Sequence, residues 1–541
     1  MLVAAAVART APAAVENSVL QRHADLVTDL LRRQVTDLNS RWCGASPDEF
    51  GIYSASSAAG ILEAFTAAFL HPGSKFHRDP LLVQRMQLSA RYLERVQSAE
   101  GFVDLPVTNF NSPPDTAFVV HPAARAAFLA TRHGEQEIAR LPEAFLRRAA
   151  TGLSHGGIHT PNHRWVVCSA LAQLYELYRD PACLRRIEQW LAEGIDIDED
   201  GQYTERSTVV YNAAVNHALV VMAHKLKRFE LLEPVRKNLN SMLYLLHPNG
   251  EVVTEISRRQ DRYERGDMRN YWFSLQYMAV YDQDGRFAAL ARRFVPRHAA
   301  LGALMEYPEL LKSAPPDALL PDKYEKEFHA LGIARIRRGL TSATTILGGD
   351  SRFFTLRRGE AVIQAVRFAS AFFGRGQFIP QRVTRRDGGY WLSQDLEGAY
   401  YQPLDPPRRV GPQDWSTTRA QRRRSELCRL TQEAGITEIP DGFCLHIRAH
   451  GVNNVPVAVE ISFAEEGKLE GVEPAPKVQG GWLFAKPWAS YRCGHDMIRF
   501  GPGLREHSYT QVRMAEPKIP GASVYLTTYT PVDHTIEFRW S

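Results

Sequence analysis

The period of the hydrophobic pattern changes near residue 310 of this chain. Before that point apolar residues recur at helical spacing, as Leu82, Met86 and Leu93 do on one helix face. From about residue 330 the apolar segments are short, rich in β-branched and aromatic residues, and separated by Gly, Pro, Asn or Asp, as in residues 361–368 and 523–529. The change predicts an all-α domain followed by an antiparallel β-domain.

Prolines mark the place where the two patterns meet. Three of them fall within residues 312–323, and proline is unfavourable in the interior of helices and central strands. We expect a helical domain over residues 1–311, a linker over 312–330 and a β-sandwich domain over 331–541. A chain of 541 residues is long enough for two or three domains.

The helical half repeats a motif that begins with glycine. Gly101, Gly156, Gly201 and Gly250 each precede a short extended piece and then a helix start, and their spacing of roughly 45–55 residues is that of a helical hairpin. Long loops alternate with short ones, so an up-and-down array places the long loops on one rim, where sites are usually built. The pattern predicts about twelve helices, enough for an (α/α)6 toroid, with an open α-solenoid as the alternative.

Composition narrows the class of function. The net charge of +5 is small for this length, which argues against a nucleic-acid binder but allows an anionic substrate if arginines cluster. No apolar run is long enough for a membrane span, and the six scattered cysteines lack metal-type spacing. The Ala-rich start, residues 1–15, contains Arg9 and no basic n-region, so it does not predict a signal peptide. Cytoplasmic, periplasmic and secreted locations, and a homo-oligomer, all stay open.

Residues 160–165 carry the strongest chemical signal. Thr160 is predicted to cap a helix whose first position is Pro161, which puts Asn162 and His163 in the first turn. The positive end of the helix dipole favours a bound carboxylate there and a neutral histidine. A histidine packed in the core is the competing interpretation of His163.

Chain direction places a tyrosine near this pair. The next helix, over residues 181–193, runs back, and the one that starts at Ser207 runs parallel to the first. Tyr211 therefore falls on the same rim as Asn162 and His163, although a tyrosine at a helix start most often only packs. Such a group suits β-elimination on a uronic acid: amide and imidazole neutralise the carboxylate, tyrosinate or histidine removes the C5 proton, and tyrosine protonates the leaving oxygen. No metal or other cofactor is required.

Asn162-His163 followed by Tyr211, in a helical domain that precedes a β-domain, resembles the heparinase II/III-like and alginate-lyase-like polysaccharide lyases. The resemblance implies an (α/α) toroid with an antiparallel β-sandwich. It also implies that Asn162 neutralises the substrate carboxylate, that His163 is a base or a second neutraliser, and that Tyr211 is the acid and also a candidate for the base.

The β-domain departs from this family in one respect. The family usually supplies a further histidine from an early strand, and the nearest segment here, residues 372–378, has none. Arg375 or Gln377 would take a neutralising or binding role there. Some family members also hold a metal in the β-domain, but His446 and His450 are too far apart along one strand to bind one ion easily, so no metal ligand is predicted.

Several further residues are predicted to contact an anionic polysaccharide or oligosaccharide, because arginine binds carboxylates and aromatic faces stack on sugars. They are Asn111, Arg164, Tyr203, Glu205, Arg206, Arg259, Arg262, Tyr271, Arg375 and Gln377. Most of the charged loop over residues 255–270 is expected to be a solvated surface of ion pairs, and the basic run at 422–424 a solvated loop.

Two other functions remain open at this stage. A glycoside hydrolase on the same toroid would need two carboxyl groups flanking the bond, and the rim offers Asp104, Asp115, Asp198, Asp200 and Glu205 without a recognisable pair. A non-catalytic scaffold that binds carbohydrate would have the shape of the rim and none of the chemistry.

Overall fold

The structure, a computed structural model, describes residues 12–296, 301–312, 314–464 and 466–540. The chain divides into two compact units. One comprises Met1–Leu246 and Gly250–Leu320, and the other His247–Asn249 and Pro321–Ser541. The division falls inside the segment 312–330 that the sequence predicts as a linker. Most of the Ala-rich start, residues 1–11, and Ser313 of that segment lie outside the described residues.

Helices build the first unit, and one short ribbon accompanies them. The helices are α1 Pro12–Arg33, α2 Ala55–Leu70, α3 Pro80–Val96, α4 Pro113–Arg132, α5 Gln136–Arg140, α6 Glu143–Leu153, α7 His163–Tyr178, α8 Pro181–Leu191, α9 Tyr211–Leu226, α10 Leu232–Met242, α11 Trp272–Asp282, α12 Gly285–Arg293, α13 Leu301–Glu306 and α14 Glu309–Lys312. The ribbon pairs β1 Val103–Leu105 with β2 Asn109–Ser112, and two 3-10 turns cover Phe229–Leu231 and Met268–Tyr271.

The helices form an inner and an outer layer. Helix α2 packs on α4, α4 on α7, α7 on α9 and α9 on α11, while α3, α6, α8, α10 and α12 pack outside them and α13 contacts both α2 and α4. The layers follow from composition, because α2 buries residues on every side whereas α8 buries only Cys183 and Ile187. The predicted toroid is confirmed. No helix among the described residues combines the length and apolarity needed to cross a bilayer.

A buried network of charges joins α13 to the inner layer. Arg125 on α4 contacts Glu306 on α13 at 2.6 Å and Glu63 on α2 at 2.8 Å. Lys225 at the end of α9 binds the other oxygen of Glu306 at 2.6 Å and also pairs with Glu176 on α7. The charges of Arg125 and Lys225 lower the pKa of Glu306, although its burial acts in the opposite direction. The network therefore ties α13 to α2, α4, α7 and α9 through ionised groups.

Two histidines meet in the interior of the toroid. His121 on α4 lies 6.1 Å from His217 on α9, ring centre to ring centre, and its Nε2 is 3.0 Å from the Ser169 hydroxyl on α7. Burial, with the charge of Arg125, lowers the pKa of His121 to about 4 and that of His217 to about 3. Both rings are therefore neutral at pH 7.

These depressed pKa values predict a loss of stability in acid. Below pH 6.5 the unfolded chain protonates these histidines, while the folded state resists until about pH 4 at His121 and about pH 3 at His217, because burial lowers both pKa values. The thermal unfolding midpoint should therefore fall as pH drops from 6.5 to 4, and His217→Asn should make that fall shallower. His155→Asn, at an exposed histidine, is the control; equal slopes in the wild type and His217→Asn would contradict the prediction.

A turn recurs on the loops of the first unit. Isolated bridges pair Pro47 with Tyr53 and Ile197 with Tyr203, and in each of these two turns an Asp side chain accepts from a backbone N–H four residues on. A third bridge pairs Leu246 with Val252. Position 201 favours glycine for two reasons. Its φ is positive, at 83°, and an added Cβ would come within 2.7 Å of the Lys237 carbonyl oxygen. Two of the four glycines of the repeat seen in the sequence, Gly201 and Gly250, lie in these turns.

Strands build the second unit. They are β3 Lys323–Phe328, β4 Ile333–Arg338, β5 Thr341–Ile346, β6 Phe354–Arg358, β7 Ala361–Ser370, β8 Arg382–Arg386, β9 Gly389–Tyr401, β10 Arg424–Ile439, β11 Gly442–Gly451, β12 Pro456–Phe463, β13 Lys468–Glu470, β14 Val472–Pro474, β15 Gly481–Phe484, β16 Ala489–Cys493, β17 Asp496–Gly501, β18 Ala522–Tyr529 and β19 Val532–Arg539, with a short helix α15 Trp415–Arg419 between β9 and β10.

The strands form two sheets that enclose an apolar core. One has the order β13-β16-β17-β19-β11-β10-β9-β8 and the other β14-β15-β18-β12-β7-β6-β5-β4-β3. Phe354, Phe443 and Phe538 pack together between them. The predicted sandwich is confirmed, with one parallel pair, β15 and β18, among antiparallel neighbours. The sequence placed residues 323–328 in a linker, but they form the edge strand β3 because they pair with β4 along their full length.

Candidate active site

The N-terminal ends of α4, α7 and α9 come together with the loops that precede them. Asn162 lies directly before α7 and is 2% exposed. Its Nδ2 donates to Glu205 Oε2 at 2.5 Å and to Thr160 Oγ1 at 3.2 Å. Glu205 Oε1 lies 3.3 Å from a guanidinium nitrogen of Arg259. Burial raises the pKa of the Glu205 carboxyl, while Asn162 and Arg259 oppose that shift. One continuous contact path thus joins an amide, a carboxyl and a guanidinium.

Tyr211 continues this path. The Arg259 guanidinium carbon stands 4.8 Å from the centre of the Tyr211 ring, a distance at which a cation is attracted to the ring face. Gln260 Nε2 donates to the Tyr211 hydroxyl at 2.8 Å, and the Tyr211 N–H donates to Ser207 Oγ at 3.0 Å. The ring remains half-buried, so its hydroxyl has a donor beside it without being enclosed in the core.

His163 is the first residue of α7 and is 7% exposed. Its ring lies edge-on to that of His159 at 4.7 Å between centres. Burial lowers the pKa of His163 to about 4, the charges of His159 and Arg259 add to the effect, and Asp115 on α4 opposes it. The imidazole is therefore neutral at pH 7, and desolvation is the largest cause. Its Nδ1 is buried without a hydrogen-bond partner among the described residues.

A buried aspartate fixes the loop that carries Arg259 and Gln260. Asp261 Oδ2 accepts from the Ser207 hydroxyl at 2.9 Å and from the Val209 N–H at 3.1 Å, and Oδ1 accepts from Ser257. The charge pattern of this loop predicts a solvated surface of ion pairs for most of its residues. That expectation is wrong for Asp261, which is 5% exposed; its hydrogen bonds tie the loop to the segment that leads into α9.

The helices at the site begin later than the sequence predicted. Helix α7 begins at His163, so Thr160 and Pro161 form a turn before it and Asn162 occupies the cap position without a side-chain cap bond. Helix α9 begins at Tyr211, because Ser207 Oγ accepts from the Tyr211 N–H instead of from a nearer residue.

Three residues predicted to bind substrate have structural partners within the first unit instead. The Tyr203 hydroxyl donates to Asn216 Oδ1 at 2.7 Å, and the fully buried Tyr271 donates to the Thr208 carbonyl oxygen at 2.7 Å. Arg164 pairs with Glu193 at 3.1 Å and with Asp196 at 2.8 Å. The two tyrosine rings are buried and the Arg164 guanidinium is already paired, so we do not include these three residues in the proposed binding set.

The other predicted contact residues of the first unit make contacts outside the path between Asn162 and Tyr211. Arg206 has a positive φ of 51° and is 3.5 Å from Asp198, and the Arg262 guanidinium lies over the ring of Tyr263. Asn111 is exposed, and its backbone N–H donates to Asp104 at 2.6 Å. These contacts do not connect Arg206, Arg262 or Asn111 to Tyr211.

The two predicted residues of the second unit occupy one loop after β7. Arg375 is exposed. Gln377 is bonded at both ends of its amide: Nε2 donates to the Phe368 carbonyl oxygen at 3.2 Å, and Oε1 accepts from the Glu516 N–H at 3.0 Å. Gln377 therefore holds two segments of its own unit together, whereas Arg375 keeps a free surface.

Gln260 and His159 are not among the site residues that the sequence predicts. Each stands beside a residue that was singled out, Gln260 after Arg259 and His159 shortly before His163, but their contacts depend on tertiary structure. No group of three His, Cys, Asp or Glu side chains placed to hold a metal ion occurs among the described residues. A cavity of about 470 Å³ lies at the other ends of α4 and α7, lined by Phe128 and Tyr178 among others, away from this site.

Solved structures of polysaccharide lyases have a fold similar to that of this chain. The fold resembles that of a chondroitin AC lyase from Streptomyces coelicolor A3 in complex with chondroitin sulphate (TM-score 0.57, 13% identity, 97% of this chain and 79% of that chain). It also resembles a mutant of the heparan sulfate lyase HepC from Pedobacter heparinus (0.54, 11%, 96% and 83%) and heparinase III (0.52, 10%, 88% and 76%). No family model and no curated protein matches the sequence. The chain has the toroid-and-sandwich fold of these polysaccharide lyases.

Proposed function

We propose that this protein is a polysaccharide lyase that cleaves a uronic-acid-containing polysaccharide or oligosaccharide by β-elimination. The observation that carries the proposal is the half-buried Tyr211 hydroxyl, which accepts from Gln260 while Arg259 lies over its ring. The fold supports the same class, because the structural neighbours named above are lyases whose names refer to heparan sulfate and chondroitin, both acidic polysaccharides.

Tyr211 is the proposed acid and base. A phenolate removes the proton from C5 of the uronate, the C4–C5 double bond forms, and the C4–O glycosidic bond breaks. The phenol then returns the proton to the leaving oxygen, so no water is added. A hydrogen bond donated by Gln260 stabilises negative charge on the phenolic oxygen, and proton transfer by a positioned side chain contributes strongly to such a step. Nothing in this sequence of steps requires a metal.

Removal of the C5 proton needs a neutralised carboxylate, and Asn162 and Arg259 are proposed for it. Both N–H groups of Asn162 are engaged, by Thr160 and Glu205, so a substrate carboxylate would replace Glu205 as one acceptor. Arg259 contacts Glu205 through one nitrogen at 3.3 Å, which leaves its other N–H groups for a carboxylate.

His163 is proposed as a second neutraliser or as an alternative base. A neutral imidazole has one donor and one acceptor nitrogen, and the His163 ring is neutral because burial lowers its pKa to about 4. It can therefore donate to a carboxylate or accept a proton at neutral pH. The His163 Nδ1 is buried and has no hydrogen-bond partner among the described residues, so no hydrogen bond within that part of the protein uses this nitrogen.

Glu205 favours a second candidate, a glycoside hydrolase. A buried carboxyl with a raised pKa has the property of a general acid at a glycosidic bond. The competing fact is its hydrogen bond from Asn162, which engages one of its oxygens. We therefore place the hydrolase second.

The product distinguishes the two. The protein is incubated with hyaluronan, heparan sulfate, chondroitin sulfate and alginate, and the ultraviolet absorbance of the unsaturated uronate is followed together with reducing ends. A lyase gives both signals in equal amounts. Reducing ends without absorbance would establish hydrolysis, and neither signal on any acidic polysaccharide would leave the non-catalytic scaffold.

Gln260→Ala should lower kcat about tenfold with little change in KM, since it removes one hydrogen bond to the reacting oxygen. Initial rates over a range of substrate concentrations separate kcat from KM, and a pH–rate profile checks that the missing donor alters the ionisation on which turnover depends. Gln136→Ala, at an exposed glutamine on α5, is the control. A kcat within twofold of the wild type would remove Gln260 from the mechanism.

A further inference from the structure

The connection between β9 and β10 differs in charge from the rest of the second unit. We call residues 402–423 the arginine arm. It includes α15 and starts where Gln402 bonds back to the start of β10, through the Arg423 carbonyl oxygen at 2.9 Å and the Ser425 hydroxyl at 2.8 Å. Leu404 and Thr418 are its buried anchors, so the arm has a defined position on its unit.

The arginines of the arm lack ionic partners. No ion pair is formed, within the described part of the chain, by any of Arg408, Arg409, Arg419, Arg422 and Arg423, although Arg408 donates to Gln421 Oε1 at 2.8 Å and Arg422 to the Gln402 carbonyl oxygen at 3.3 Å. The arm has two carboxylates, and one of them, Asp414, accepts from the Gly411 N–H within the arm. By contrast Arg424 and Arg429, in the adjoining strand, both pair with Glu397. The positive charge of the arm is therefore left for a partner outside the described chain.

Exposed aromatic rings accompany this charge. Trp415 is 52% exposed and Tyr400, at the base of the arm, is 59% exposed. The Arg422 guanidinium lies 4.6 Å from the Trp415 ring centre and that of Arg419 lies 5.6 Å from the Tyr401 ring centre. Packing on a ring restrains a guanidinium that has no carboxylate, which reduces the entropy lost when an anion binds.

We propose that the arginine arm is a binding surface for an acidic polysaccharide, additional to the candidate active site. Guanidinium groups bind carboxylate or sulfate oxygens in pairs, and exposed aromatic rings stack on the apolar faces of sugars. The choice of a polysaccharide over a nucleic acid rests on the proposed function, since charge and aromatic rings suit both.

Binding of heparin, hyaluronan, dextran and an oligothymidylate is measured by calorimetry in the Tyr211→Phe background. The test variant carries Arg409→Ser, Arg419→Ser and Arg423→Ser. The matched control carries Arg32→Ser, Arg147→Ser and Arg228→Ser, which removes equal charge at paired arginines outside the arm, of which Arg32 and Arg147 are exposed and Arg228 is half-buried. Loss of three exposed charge contacts should raise Kd for an acidic polysaccharide about tenfold, more weakly at high salt, with the control within twofold.

The outcomes separate the source of the anion and the class of ligand. If the test variant weakens the binding of heparin alone, the arm recognises sulfate. If it weakens the binding of hyaluronan as well, the arm recognises carboxylate. Dextran should not bind. An unchanged Kd for both acidic polysaccharides overturns the proposal, as does tighter binding of the oligothymidylate than of either. Trp415→Ala should weaken the same ligands without any change in charge. These results stand even if the wild type shows no unsaturated product, so failure of the proposed function would be seen separately.

Discussion

Tyr211→Phe is expected to lower kcat on the cleaved polysaccharide by about a thousandfold, since it removes the group proposed to take and return the proton. The ring, its contact with Arg259 and the backbone bond to Ser207 all stay. Only the hydrogen bond from Gln260 is lost, and that glutamine is exposed to solvent. Thermal unfolding should therefore be unchanged within a degree or two, so that the loss reports on chemistry.

Tyr53→Phe is the matched control for this variant. Tyr53 belongs to the same unit and stacks on Trp42 at 4.9 Å, so the substitution deletes one tyrosine hydroxyl away from the site. It should retain activity within twofold. Unsaturated product formed by Tyr211→Phe at a rate near that of the wild type would exclude Tyr211 as the acid and base and would move the search to His163.

Arg125→Met is expected to lower the free energy of unfolding of the first unit by about 3–5 kcal/mol, the usual cost of breaking a buried ion pair. The variant leaves Glu63 without its cation and leaves Glu306, whose side chain is 1% exposed, with Lys225 alone. Urea unfolding followed by circular dichroism in the far ultraviolet measures the effect, because the helices dominate that signal.

Arg32→Met tests the same substitution at the surface. Arg32 pairs with Asp29 at 2.6 Å, but its side chain is 78% exposed, and such pairs contribute about 0–1 kcal/mol. A loss below about 1 kcal/mol for Arg125→Met, equal to that of the control, would mean that relaxation or entering water compensates the buried carboxylates.

The sequence predicted the architecture and one part of the site. Helical and strand periods report burial directly, so the toroid and the sandwich followed from the pattern. Cap residues and chain direction brought Asn162, His163 and Tyr211 to one rim. The exact starts of α7 and α9 were missed. Asn162 makes no side-chain cap bond before α7, and Ser207 Oγ accepts from the Tyr211 N–H, four residues ahead, before α9; local preference does not decide such choices.

The rest of the site depends on contacts between distant loops. Gln260 reaches Tyr211, and Asp261 reaches Ser207, across about fifty residues of sequence. The sequence pattern around a buried aspartate does not differ from that around a solvated one, so the pattern placed Asp261 at the surface. Tyr203 and Tyr271 show the reverse error: aromatic residues on a rim loop were taken for sugar platforms and are core residues.

The bridged turns of the first unit make its loops exchangeable. Each of the bridges Pro47–Tyr53 and Ile197–Tyr203 closes its own turn. Lengthening a closed loop is inexpensive, about 0.6 kcal/mol for each doubling of its length. Segments of foreign sequence can therefore be grafted at one turn while the helices keep their packing, and a library that varies one turn at a time would separate the contribution of each turn from that of the scaffold.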